Sequence, residues 1–161
     1  AIVARLAARP GWEHARISGW PRRPGIRETR RVHGRVVIEA DDLRGGRLRE
    51  DEVARSAWPL ELWESPTRPR FEPVKGASSV PLGALVSRSH AGLGMAGRCL
   101  SASHEALGSL RVLGTAMATG EAAGAAAALA AREGISLDRV APSAVRTAIA
   151  RLAAEDLPWP R

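Results

Sequence analysis

"HEALGSLRVLGTAMATGEAAG", residues 104–124, decides how this chain is read. A His–Glu pair and Arg111 stand just ahead of a stretch made almost wholly of Ala, Gly and Thr. From Thr115 to Arg132 the composition favours a helix, and Gly134 stands where a left-handed cap would end it. Within that helix Ala116, Gly120, Gly124 and Ala128 recur every four residues, so one face carries almost no side-chain volume. A glycine inside a helix costs up to about 1 kcal/mol relative to alanine. Two of them predict a compensating close approach by a backbone or a flat ligand, although plain helix-on-sheet packing gives the same stripe. The helix start at Gly114–Thr115 offers unbonded N–H groups and the positive end of the dipole, a ready place for an electron-rich oxygen. The stretch is not a membrane span. From Val112 to Ala131 its length of about 20 residues suffices, but Ala and Gly add too little hydrophobicity to offset the central carboxylate of Glu121.

The bulk composition narrows the classes. A chain of 161 residues suits one ordinary domain, and 45% hydrophobic with 25% charged residues excludes wholesale disorder. Large side chains are few: five Trp, one Phe and no Tyr, so the apolar total leans on alanine. Alanine buries little area, and part of the stabilising contact is expected from outside the chain. The net charge of +7 raises nucleic-acid binding, but Lys75 is the only lysine and the arginines are scattered without like-charge blocks or interleaved aromatics. Cys99 is the single cysteine, so no internal disulfide forms, and four scattered histidines give no metal-ligand spacing. No metal is expected. The opening "AIVARLAAR" reads as a helix continuing from something upstream rather than a secretory signal, and a cytoplasmic location is expected.

Along the chain, Pro10–Gly11 stops the first helix. "ARISGW" (15–20) reads as a short strand, 21–25 as a turn, and 35–38 as a second strand, with Asp41 or Asp42 capping a short helix. Asp51 to Trp58 looks helical, and 59–64 alternates like a strand with Leu60 and Leu62 on one face. Residues 65–79, with three prolines, read as a surface loop. "VPLGALVSR" and "GLGMAGRC" read as strands. The segment 141–156 predicts an amphipathic helix with Val145, Ile149 and Leu152 on one stripe.

Three clusters carry possible chemistry. Gly92, Gly94 and Gly97 match G-x-G-x-x-G, but the residues after Gly97 lack a helical period and no acid sits where a ribose would need it, so chance glycines are the better reading. His104, Glu105 and Arg111 converge on a polarised helix start, which favours a functional role over an isolated loop hydrogen bond. "RETRR" (27–31) supplies guanidinium forks for an anion, or an internal ion pair with Glu28.

Two stretches together carry a resemblance. "GIRETRRVHGR" (25–35), followed some 60 residues later by "MAGRCLSASHEALGSLRVLGTAMATGEAAG" (95–124), resembles the C-terminal part of the FAD-dependent oxidoreductase family, whose fold has two dinucleotide-binding domains. The resemblance implies that Gly97 and Arg98 end a strand passing the ribityl and pyrophosphate side of FAD. It implies that Gly114, Thr115 and Ala116 begin the helix facing the flavin pyrimidine edge. His104, Glu105 and Arg111 then match a loop near the isoalloxazine, with catalytic roles expected there. Arg27 and Arg30 match an arginine element on the substrate side. Members commonly carry proline where Gly114 stands and Tyr-Arg where Leu82–Gly83 stand, which affects substrate contacts more than flavin contacts.

The implied fold class is α/β, or α+β for this chain by itself: the C-terminal portion of a Rossmann-like FAD-binding flavoprotein with part of its substrate domain. Residues 1–80 would belong to the substrate or cap region, 81–134 to the FAD-binding domain and 135–161 to a C-terminal helical extension. The family's glycine-rich fingerprint for the ADP half of FAD is not in these 161 residues. The expected partners are therefore a companion polypeptide or missing segment carrying it and a small-molecule substrate, with no nucleic acid and no membrane. The expected reaction is oxidation by hydride transfer to FAD, with the chain as small subunit or fragment. A non-catalytic interaction subunit and a basic nucleic-acid-binding module are the competing readings.

Overall fold

The computed structural model describes residues 2–23, 25–65 and 67–154. Helix α1 (Ile2–Ala7) is followed by irregular chain to the short helix α2 (Ala40–Arg44). Strands β1 (Glu52–Ser56) and β4 (Ser78–Pro81) pair antiparallel and enclose the antiparallel hairpin of β2 (Leu60–Ser65) and β3 (Arg68–Glu72). Helices α3 (His104–Leu110), α4 (Leu113–Glu133) and α5 (Pro142–Ala154) complete the chain. The result is α+β, and no parallel pair of strands occurs among the described residues. One core holds Leu43, Leu60, Val80, Leu100, Leu107 and Val145. α3 packs on β2, while α4 lies against β1, α5 and the turn at Gly97–Cys99.

The central helix is where the sequence placed it, beginning two residues earlier and ending on Gly134 at φ 65°. The helix at 142–154 also forms, with Val145 buried and Ile149 against the core but Leu152 half exposed. Residues 155 and 156 of that expectation lie outside the described residues.

Several expectations are corrected. Asp51–Trp58 is not helical but contains β1. A register shift between Glu52 and Ala54 lets Val53 and Ser56, three apart, both face inward, and that spacing imitates a helix. The loop at 65–79 holds β3, where Pro69 is tolerated because the two-stranded hairpin leaves an open edge. Residues 15–20 form no strand. Residues 35–38 and 92–99 contribute isolated bridges, Ile38 to Ala102 and Gly94 to Val86, rather than strands. Only the start of "VPLGALVSR" is a strand, and a 3-10 turn follows at Leu82–Ala84. Residues 104–110, which showed no clean period, form α3 because the Ser103 hydroxyl accepts the Ala106 N–H and caps it. In α2 the cap position is Glu39, whose N–H donates to the Asp42 carboxylate.

The close approach predicted at Gly120 and Gly124 lies elsewhere. A Cβ built at either would meet nothing within 4 Å, and α4 instead buries Thr115, Thr119, Ala122, Ala126 and Leu129. Among the glycines of α3 and α4 the tight contact is at Gly108, where a Cβ would fall 2.7 Å from the Glu61 carbonyl oxygen. Gly108 thus lets α3 lie directly on the backbone of β2. Gly108→Ala is expected to cost roughly 1–3 kcal/mol through this clash. Gly120→Ala is expected to add up to about 1 kcal/mol by helix propensity. Urea denaturation of both variants checks the pair, and equal effects would contradict this placement of the two glycines.

Candidate functional site

Three backbone features bring the candidate residues together. The Val32 N–H donates to the Cys99 carbonyl (3.0 Å), laying the RETRR segment along the Gly97–Cys99 turn. Gly97, held at φ 62°, donates its N–H to the Thr119 hydroxyl (3.0 Å), which fixes that turn on α4. The Thr119 hydroxyl itself donates to the Thr115 carbonyl (2.7 Å). Beneath them the Thr115 hydroxyl donates to Ser56 (3.2 Å), and Ser56 contacts the Ser109 hydroxyl (3.4 Å), tying α4, β1 and α3 through buried hydroxyls. Buried hydroxyls with partners hold geometry at little cost, whereas an orphaned one costs about 1–3 kcal/mol.

Two clefts open along this junction and share Arg27 and Arg98. The first, of about 390 Å³, lies between Arg27, Glu61, Arg98, Arg111 and the start of α4 as far as Ala116. The second, of about 350 Å³, is lined by Ile26 to Arg30, Ala96, Arg98 and Cys99. The start of α4 carries no side-chain cap, because Val112 has none to offer, and its first helical bond runs from the Ala116 N–H to the Val112 carbonyl. The N–H groups of Leu113, Gly114 and Thr115 precede that bond and have no intrahelical acceptor.

The sequence-predicted residues divide between these surroundings. Arg27 and Arg98 line both clefts, Arg111 and Ala116 line the first, and Arg30 lines the second. Arg98 donates to the Ile26 carbonyl (3.0 Å) and Arg111 to the Glu61 carbonyl (3.2 Å). Gly114 is exposed with open space beside it, while the Thr115 side chain is buried. His104 is brought to the RETRR segment, its Nδ1 lying 2.9 Å from Glu28. Glu105 is not brought to the others. It bonds Arg44 at 3.0 Å, in a cluster with Asp41 and Glu72 that joins α2, β3 and α3.

Glu28, Glu61 and Thr119 were not singled out by the sequence as site residues. Glu28 stands inside RETRR and was legible there as an ion-pair partner, which it is for Arg31. Glu61 and Thr119 gave no sequence signal, because their positions depend on the hairpin register and on Gly97.

Partial burial raises the Glu28 carboxyl, but hydrogen bonds from His104 and Arg31 and their charges outweigh it, leaving the group below its ordinary 4.5. Glu52 is also lowered, mainly by its bond to Arg55, and Asp51 by Arg49. Such carboxylates stabilise the fold while ionised, fully above their ordinary values and progressively less as pH falls through the lowered ones. The urea midpoint is expected to stay level from neutrality to about pH 5 and to fall below about pH 4.5. A midpoint that rises on acidification would contradict these ion pairs.

No single helix among the described residues is long and apolar enough to cross a membrane; α3 and α4 pass such a test only together, and they are bent by 95°. A family model described as FAD dependent oxidoreductase matches residues 2–149. No curated protein and no solved structure matches the chain.

Proposed function

This chain belongs to the FAD-dependent oxidoreductase family, and from that premise we propose that it forms one wall of a flavin site whose other wall is a polypeptide segment outside these 161 residues. That segment, a companion chain or the remainder of a longer one, would carry the fingerprint for the ADP half of FAD and give the assembly its Rossmann-like sheet. The domain division at 80 and 134 belongs to the same reading, as does a cytoplasmic location in keeping with a lone thiol.

The observation that carries the proposal is the uncapped start of α4 opening onto a cleft rich in guanidinium groups. The residues fit the cofactor. The N–H groups of Gly114 and Thr115, which lack an intrahelical acceptor, suit a flavin carbonyl oxygen, and a Cβ built at Gly114 would meet nothing within 4 Å, so that side of the helix start is open. Gly97 and Arg98 would face the ribityl and phosphate side, and Ala116 would leave room for the ring edge. FAD, when bound, accepts a hydride from the substrate. The chain's own residues orient and hold charge: Arg27, Arg30 and Arg111 face the substrate side, and His104 is held by Glu28 where it can give or take a proton.

The outer face of α4 supports the second wall. Leu113 and Met117 are 77% and 67% exposed and continue into bare Gly120 and Gly124. Such a face presses closely against a backbone or a flat ring, which explains glycines that the chain's own contacts leave unexplained. The test is a flavin-binding titration of the chain with and without whatever co-purifies with it. Flavin retained by the assembly and lost on Arg98→Ala supports the proposal. An assembly that binds no flavin overturns it.

A further inference from the structure

We infer that Arg27 and Arg111, beside Glu61 in the cleft they share with Arg98, take the carboxylate of an organic acid whose apolar body lies on the exposed aromatic face of the β2–β3 hairpin. The inference rests on the proposed oxidoreductase function, in which this acid is the substrate, and it names that substrate's class.

The first observation is how arginine charge is distributed. Many guanidinium groups elsewhere meet carboxylates: Arg31 with Glu28, Arg35 with Asp138, Arg44 with three acids, Arg47 with Asp42, Arg49 with Asp51 and Arg55 with Glu52. Arg146 instead donates to the carbonyls of Glu50 and Glu52. The three arginines of the cleft also lack a close carboxylate, and they converge on one opening. Arg98 and Arg111 are held by the backbone carbonyls of Ile26 and Glu61, which position a guanidinium without cancelling its charge. Arg27 reaches the Glu61 carboxylate only at 3.9 Å, beyond hydrogen-bond range. Three positive groups therefore surround one carboxylate. A guanidinium carries five N–H donors, and the carbonyl bonds occupy one on each of Arg98 and Arg111. Planar forks with donors to spare match a carboxylate in bidentate fashion.

The second observation is the apolar ledge beside this charge. The hairpin register sets Glu61 opposite Phe71 and Trp63 opposite Pro69, so Glu61, Trp63 and Phe71 share one face. Trp63 and Phe71 are 46% and 54% exposed, and the Trp63 indole N–H donates to Glu61 at 2.6 Å. Glu61 thus belongs to the cleft and to the aromatic face at once. A ligand with its carboxylate among the arginines would lay its adjoining carbons against these rings. A bare phosphate would use the charge and leave the ledge uncovered.

The Trp63 indole proton is the local reporter, and it needs no flavin. The natively purified protein, with whatever remains bound to it, is titrated with benzoate, acetate and inorganic phosphate while the tryptophan indole signals are followed by NMR, with Trp63→Phe giving the assignment. The expected result is a saturable shift of the Trp63 signal with benzoate, weaker binding of acetate and of phosphate, and at least about tenfold weaker benzoate binding in Arg27→Gln. Arg27 is largely exposed, so this variant keeps the fold. Absence of a saturable benzoate shift, unchanged binding in Arg27→Gln, or phosphate binding as tightly as benzoate would each overturn the inference, the last marking a site for a cofactor phosphate. Flavin retention is measured separately, so loss of the flavin reading leaves the benzoate result for the cleft standing.

Discussion

Gly124→Leu is expected to leave the chain folded and yet to weaken its assembly into flavin-loaded protein. In the chain itself the position is open: a Cβ at Gly124 meets nothing within 4 Å. Leucine is a better helix former than glycine by close to 1 kcal/mol, so the urea midpoint should hold or rise. The cost arises only when a second surface covers α4. An isobutyl group there would force apart elements meant to touch at backbone distance, and overpacking of that kind costs about 1–3 kcal/mol or more. At an interface that is a loss of about five- to more than a hundredfold in affinity. Sedimentation of the natively purified variant with whatever remains bound to it, flavin absorbance being recorded across the boundary, reads both effects at once. Undiminished assembly would mean that this face of α4 stays uncovered, and its glycines would need another explanation.

The second large effect is in the core. Leu107 is fully buried on α3, the helix that lies on β2 and carries Arg111 beyond its end. Leu107→Ala should cost about 2–5 kcal/mol, the range for deleting a buried leucine side chain when the surroundings relax only partly. A domain of this size has about 5–15 kcal/mol to lose. The variant should therefore unfold at far lower urea, with the Arg111–Glu61 contact loosened before global unfolding. A loss under about 1 kcal/mol would mean that α3 is not held by this side chain.

Helix α4 was legible because its evidence is local: an alanine-rich run, a helical period and a capping glycine that needs φ 65°. The RETRR segment was legible as a candidate because its charge stands out in a sequence, whereas Gly97 and Arg98 entered only through the family resemblance. The structure then brings Arg27, Arg98 and Arg111 to one cleft. What failed was mostly long-range. β1 reads as a helix until Ser78–Pro81 is known to pair with it, because one extra residue at Val53 gives inward side chains a spacing of three. α3 was hidden by its short length, with only the Ser103 cap as a signal. Glu61 entered the site through the hairpin register, which no local pattern reveals. The glycines teach the sharpest distinction. Gly108 is required by a contact within the chain and gave no sign of it, whereas Gly120 and Gly124 announced a contact that the chain by itself does not contain.

That missing contact is the central claim, and one spectrum tests it most directly. The protein is purified under native conditions through a tag on this chain, together with whatever remains bound, and its visible absorption is recorded before and after denaturation. The expected result is a yellow assembly with flavin bands, a second polypeptide segment beside this chain, and release of free FAD on unfolding. A colourless, monodisperse 161-residue monomer that releases no flavin on denaturation would contradict it.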